Sequence, residues 1–413
     1  MTSDSIHSVD QLIFERTDAR IHMLKELVRV PSDNPPGDCE AHAERAAELL
    51  TELGFEVERH PVPKDILEEA GLKRVTNLIV RHRFGEGPTI ALNAHGDVVP
   101  PGDGWHTDPY SGEIHDGWLY GRGAAVSKSD FVTYADALRA LIDADLPLCG
   151  SVELHLTYDE ETGGQAGPQW MLQNGVTRPD YAVCAAFSYK VITAHNGCLH
   201  LEVELQGRSA HAAWAETGLD ALEAATHLLK KLYAHRDALR ERRSAFSGVD
   251  HPSLVVGTIQ GGINTNVVPD RISIRIDRRI IPEEDGACVE SELTSVILDA
   301  LADYPQIGVD IRRVLLAIPF TPTPAAEALA GHFMEAASEV LGEPVQAGAV
   351  PLYTDARHYA EAGVPTVMYG AGPRDPLSAN GHRADERVPL DTLTSSTRVI
   401  ARVVMALLAD KRN

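Results

Sequence analysis

Apolar positions along the chain change their period several times, and the changes mark out the elements. Leu12, Ile13, Ile21, Leu24, Leu27 and Val28 recur at helical spacing and predict a helix over 8–29. A Pro- and Gly-rich loop follows at 31–37, then a second amphipathic helix over 39–53 with Gly54 in the place of a C-terminal cap. Phe55 to Arg59 alternates and reads as a strand. Residues 77–83 and 89–94 are short apolar runs of the kind that fill a buried sheet. The stretch 102–120, rich in Gly, Asp and Trp, reads as a loop, and a helix over 128–144 ends before Pro147 and Gly150. Strands over 152–157 and 181–185 complete an alternation of strands and helices, which predicts a largely parallel sheet flanked by helices.

Near residue 195 the texture changes. Residues 200–206 alternate, a long helix covers 218–242, strands cover 253–260 and 271–278, a helix covers 287–303, and a last strand covers 309–316. That β-α-β-β-α-β order predicts an inserted α+β, ferredoxin-like lid. Helix and strand then alternate again: helix 324–341, strand 347–349, helix 355–362, strand 365–369, loop 370–387 and helix 390–409. The expected organisation is an α/β catalytic domain in two pieces, 1–194 and 315–413, around a lid at 195–314.

Composition narrows the function more than the fold. The 413 residues are 44% hydrophobic and carry a formal net charge of −23. Such a balance argues against nucleic acid and anionic membrane surfaces as partners. The five cysteines (Cys39, Cys149, Cys184, Cys198, Cys288) are scattered without CxxC spacing and read as free, buried thiols. The polar, mixed-charge stretch 1–20 has no signal-peptide core, and no run is apolar for long enough to span a bilayer, so a cytoplasmic location is expected.

Candidate chemistry gathers after three predicted strands. His95-Gly96-Asp97 follows the apolar run at 89–92. Two residues apart on an extended chain, the imidazole and the carboxylate point the same way. The carboxylate can then hold one ring nitrogen and leave the other for a metal. Asp159-Glu160-Glu161 follows the strand at 152–157; three adjacent acids at a strand end call for a neutralising cation or solvent. Gly163-Gly164 behind them would let the backbone approach a ligand closely. Gly381-His382-Arg383-Ala384-Asp385-Glu386 forms the third loop. His106, His115, His155 and His195 read as structural histidines of loops and strand edges. Lys128, at a helix start, reads as a solvated charge or a cation for the substrate.

Taken together, these segments resemble the dinuclear-zinc aminoacylase and carboxypeptidase family, which includes acetylornithine deacetylase, succinyl-diaminopimelate desuccinylase and bacterial glutamate carboxypeptidase. The matching motifs are Asn93 through Pro100, Gly121-Arg122-Gly123-Ala124, Asp159 through Gly164, Gly207 through His211, Asn266 through Asp270, Asp277-Arg278-Arg279, Thr354 through Arg357, and Gly381 through Glu386. The resemblance implies that His95, Glu161 and His382 are metal ligands, with Asp97 the partner behind His95. It implies that Glu160 is the general base. His211, in the lid, would reach the substrate carbonyl oxygen across a homodimer interface. Arg279 and Asn266 would hold a substrate carboxylate or the oxyanion, and Thr354 would contact the substrate.

Two departures from the family pattern change the expected metal content. Val126 stands where the family's bridging Asp belongs, and Ala185 (Ala186 on a one-residue shift) where it has an acidic ligand. Two dications a few ångströms apart repel strongly without a bridging anion. The expectation is therefore one Zn²⁺ or Mn²⁺ per chain on His95, Glu161 and His382, with Asp130, one helical turn past Val126, the remaining carboxylate that could replace the bridge. A metal-dependent hydrolase of a C–N bond in a small carboxylated substrate is the leading reading. Metal-independent acid–base chemistry (a lyase or isomerase) and a non-catalytic binding relative are the alternatives.

Overall fold

A computed structural model describes residues 2–409. The strands are β1 (Glu58–Pro61), β2 (Thr76–Arg83), β3 (Thr89–His95), β4 (Ile114–His115), β5 (Trp118–Tyr120), β6 (Ser151–Thr157), β7 (Tyr181–Cys184), β8 (Val191–His195), β9 (Gly197–Gln206), β10 (Ser253–Gly261), β11 (Arg271–Ile280), β12 (Gly308–Ala317), β13 (Ala347–Val350), β14 (Thr366–Met368) and β15 (Arg387–Pro389). They form an eight-stranded sheet in the order β1-β2-β6-β3-β7-β14-β8-β13, a four-stranded sheet β10-β11-β9-β12, and a small three-stranded sheet β15-β5-β4.

The chain divides into two compact units. The first takes residues up to 193, 322–348 and from 354 onward; the second takes 194–321 and 349–353. In the first unit, β3 runs parallel to both β6 and β7, and β14 runs parallel to β7. Leu92, Leu154, Leu156 and Val183 fill its core with Phe131, Leu138 and Leu141 of the helix Lys128–Asp143 and Val399, Ile400 and Val403 of the helix Leu390–Leu408. This is the expected mixed, mostly parallel sheet flanked by helices. In the second unit, β9 pairs antiparallel with β11 and β12. One face of that sheet, carrying Leu199, Leu201, Val203, Ile274 and Ile276, packs on the helices Ala221–Leu239 and Gly286–Leu301. The opposite face is polar, as period-two alternation requires. Among the described residues no helix is long and apolar enough to cross a membrane.

Several local expectations are corrected. The helix expected over 8–29 is two helices, Ser3–Glu15 and Thr17–Val28, broken at Arg16. Arg16 and Arg20 both reach Asp136, so a tertiary ion pair sits at the break. The strand expected at Phe55–Arg59 begins only at Glu58, because the Phe55 side chain is buried in the core and its N–H bonds back to Leu50 O, closing the preceding helix. The supposed loops 102–120 and 370–387 contribute β4, β5 and β15 to the small sheet.

Candidate metal centre

Three strand ends lie side by side because of the register of the parallel strands. His95 of β3 is level with Thr157 of β6, and Asn93 of β3 with Cys184 of β7. The loops that leave these carboxyl ends carry His95-Gly96-Asp97, Asp159-Glu160-Glu161 and Ala185-Ala186, the position at which open α/β sheets hold their ligands. Gly96 is required here: a Cβ on it would lie 2.4 Å from the Tyr158 ring.

Asp97 is fully buried and fixes the arrangement. Its Oδ1 accepts from the Glu160 backbone N–H (3.3 Å) and its Oδ2 from the Glu161 N–H (3.2 Å) and Asn34 Nδ2 (3.0 Å). Oδ1 also stands 3.3 Å from His95 Nδ1, which donates to the Asp97 backbone carbonyl at 3.0 Å. With its proton on Nδ1, His95 turns the lone pair of Nε2 toward Glu160 Oε2, 3.9 Å away. Ligand atoms of His95, Glu160 and Glu161 all lie within 4.8 Å of one another.

His382 arrives from the loop between the turn Pro376–Ala379 and β15, with a left-handed backbone (φ 62°). Its Nε2 stands 3.0 Å from Glu161 Oε1. That buried oxygen has no hydrogen-bond partner of good geometry. Glu386 steadies this loop by accepting from Arg122 Nη1 (2.6 Å) and from the N–H groups of Ala125 and Val126 (3.1 Å each).

The electrostatics point to a missing positive charge. Burial, reinforced by Glu161, Asp355 and Asp97, holds the Glu160 carboxyl well above its usual range, with His95 pulling the other way. His95 is pushed well up by Glu160, Asp97 and Glu161 against the opposing effect of its own burial, and His382 is raised by the facing Glu161 carboxylate. An unpartnered carboxylate oxygen facing one imidazole nitrogen, with a second imidazole lone pair nearby, is the donor chemistry of a divalent-metal site. His95, Glu160 and Glu161 lie close enough together to share one such ion, and His382 stands beside Glu161.

Val126 and Ala185 offer no donor atom, and Val126 Cγ2 lies against Gly381. Asp130 does not replace the bridge: it is buried, and its Oδ1 accepts from the Ala371 N–H.

Other expectations are revised by contacts within the chain. Gly163 and Gly164 make room for the protein's own side chains, since a Cβ on Gly164 would meet Asp355 Oδ1 and His358 Nε2, and Gly163 O accepts from Arg357 and His358. Thr354 Oγ1 accepts from the Ala356 N–H at a helix start and donates to Met368 Sδ (3.5 Å). Lys128 is fully buried, with Nζ on the carbonyls of Leu27 and Val30, so it is neither a solvated charge nor a substrate contact. The expectation that the cysteines are buried holds for Cys39, Cys184 and Cys198, but Cys288 is exposed and Cys149 half-buried. Asn34, which clasps Asp97, escaped the sequence reading; it lies 63 positions away in a Pro-rich loop with no pattern to announce it.

The remaining predicted residues belong to the second unit. His211 precedes the turn Ala212–Thr217, and its Nδ1 accepts from the Ala213 N–H at 3.1 Å. In the neutral ring this leaves the proton on Nε2, so exposed His211 presents a hydrogen-bond donor. Asn266 is on the adjoining segment, its carbonyl taking the Ala212 N–H. Arg279 Nε and Nη2 hold both oxygens of Asp277, at 3.0 and 3.1 Å, so that edge of the fork is engaged within the chain.

Comparison with known proteins agrees with this architecture. Human carnosine dipeptidase 1 is 19% identical, with a TM-score of 0.77 over 98% of each chain. The dipeptidase Dug1p of Saccharomyces cerevisiae is 13% identical, with a TM-score of 0.78 over 99% of this chain and 100% of its own. A dinuclear metal-binding M20 peptidase of Bacillus subtilis is 16% identical, with a TM-score of 0.68 over 95% of this chain and 99% of its own. At these identities the likeness is one of fold. The family model described as peptidase family M20/M25/M40 matches residues 91–406, most of the chain and every strand-end loop described above, and the chain belongs to that family.

Proposed function

We propose that this M20 hydrolase cleaves an amide bond in a small carboxylated substrate with one divalent ion per chain, Zn²⁺ or Mn²⁺, held by His95, Glu161 and His382. The observation that carries the reading is the gathering of His95, Glu160 and Glu161 ligand atoms within 4.8 Å at the ends of β3 and β6. A bound divalent ion supplies Lewis acidity, polarising the scissile carbonyl and acidifying water. Glu160, held up in pKa by burial and by its acidic neighbours, takes the proton of the attacking water and passes it to the departing amine. The water oxygen bonds to the carbonyl carbon as the C–N bond breaks. Asp97 acts through others, orienting the His95 ring and the backbone of Glu160 and Glu161. His211, with Nε2–H outward, supplies a donor for the developing oxyanion. Asn266 and the outer part of the Arg279 guanidinium address the substrate's carboxylate. Two copies associate through the lid, where Val255 (56%) and Ile259 (46%) stand exposed on edge strand β10.

The test is metal content and turnover together, on a panel of dipeptides and N-acyl amino acids. Wild type should bind one ion through these ligands, and His382→Ala should bind about one ion fewer per chain. Glu160→Gln should keep its metal and lose roughly 10²–10⁴-fold in kcat. A metal content unchanged in His382→Ala, two ions held by these ligands, or turnover that survives complete chelation, would overturn the reading.

A further inference from the structure

The second unit holds a group of chemistry-bearing side chains of which the reaction above uses only Arg279. Cys198 and His200 lie two apart on β9, on the face turned away from the helices. Opposite them on β11, in register, lie Arg279 (paired with Cys198) and Asp277 (paired with His200). The four form a two-by-two block on central strands of the sheet. His200 Nε2 is 3.1 Å from Cys198 Sγ and 3.2 Å from Asp277 Oδ2. Sulfur, nitrogen and oxygen all lie within 4.8 Å of one another. Cys198 forms the buried floor; His200 and Asp277 are about one-third exposed at the mouth, which gives an ion a way in.

We propose that Cys198, His200 and Asp277 bind a borderline-soft divalent cation of the Zn²⁺ class, separate from the centre in the first unit. The chemistry of the donors favours it, since a thiolate and an imidazole select Zn²⁺ over Mg²⁺ or Ca²⁺. The spacing also favours it. With Zn–S near 2.3 Å and Zn–N near 2.0 Å, tetrahedral ligands lie about 3.3–3.6 Å apart. The observed 3.1 and 3.2 Å need only a few tenths of an ångström of spreading. Arg279 does not block the site. Its Nε and Nη2 hold Asp277 from the side and fix the carboxylate, as an outer partner of a metal ligand does. Three protein donors leave a fourth position for water or a ligand. On binding, the Cys198 S–H proton is released to solvent and the sulfur bonds to the ion. Strand-borne donors are held more rigidly than loop-borne ones, so the geometry exists before the ion arrives.

Cobalt distinguishes this site from the first, whose three ligands include no sulfur. The metal-free full-length protein is titrated with Co²⁺ while the ultraviolet thiolate-to-cobalt charge-transfer band is followed. Wild type should develop the band to saturation at one thiolate per chain. Cys198→Ser should abolish it, while His200→Gln and Asp277→Asn should weaken Co²⁺ binding at this band by about tenfold or more. Absence of the band in wild type, or its survival in Cys198→Ser, overturns the proposal. Should Cys198→Ser fail to fold, the partly exposed position 200 decides: unchanged affinity in His200→Gln overturns the proposal, and a tenfold loss supports it.

Discussion

One carboxylate, that of Asp97, takes the backbone N–H of both Glu160 and Glu161 and faces the His95 ring, so three functional residues share a single support. Asp97→Ala removes that support without touching a donor atom of the metal. Metal affinity should fall by about 10–100-fold and kcat by a similar factor, with KM much less affected, as titration with a metal indicator and steady-state kinetics would read. Position 126 allows the opposite experiment. If the missing bridge and missing acid are what limit the centre to one ion, Val126→Asp combined with Ala185→Glu should raise the metal content of this centre from about one ion to about two, by elemental analysis against His382→Ala. A double variant that still binds one ion would place the limit elsewhere. Residue by residue, the sequence disclosed what is local. A His and an Asp two apart at a strand end, and an acid run after another strand, follow from period two and charge alone. It did not disclose the Asn34 clasp or the Cys198–His200–Asp277 block, since each depends on register between segments far apart in the chain.

The loop that delivers His382 is secured by an element-scale clamp. Glu386, the residue before β15, is bonded to Arg122 and to the two backbone N–H groups at 125 and 126, and both charged side chains are 1% exposed. Breaking a buried pair strands the other charge, at a cost of about 3–5 kcal/mol. Glu386→Gln should therefore lower the urea midpoint markedly and loosen metal binding through His382. Arg122→Met combined with Glu386→Gln should recover part of the stability, and a double variant no better than the sum of the singles would remove the clamp argument. The strand–helix alternation that builds the two sheets was legible because buried strands and amphipathic helices have different periods. The small sheet β15-β5-β4 was not, because its strands are two or three residues long and β15 pairs with β5 across more than 260 positions. The break at Arg16 was hidden for a related reason: apolar spacing runs straight through it, and only the ion pairs to Asp136 give it a cause.

At the scale of the whole molecule, two buried acids with opposite shifts set opposite limbs of the stability profile. Glu153 on β6 is pushed up by burial but held down to about 2 by the hydrogen bonds from His155 and Thr177 and by Arg81. The unfolded chain takes up this proton near pH 4.5 and the folded one only near 2, so the unfolded state binds more protons in between and stability falls as the pH drops through that window. Glu153→Gln should be less stable than wild type by about 1–2 kcal/mol at neutral pH, and the gap should close between pH 4.5 and 2. Asp130 behaves in the reverse sense. Burial lifts its pKa to about 8, against the pull of the Ala371 N–H. Between its unfolded value near 3.8 and 8, the folded state keeps a proton that the unfolded state has lost, so stability declines as pH rises across that range. Asp130→Asn retains an acceptor for Ala371 and removes the titration. It should gain on the order of 1–3 kcal/mol over wild type at pH 8 and nothing at pH 4, measured as unfolding midpoints on the metal-free protein. A difference independent of pH would mean that Asp130 is ionised in the fold, with its charge met by a partner other than the Ala371 N–H.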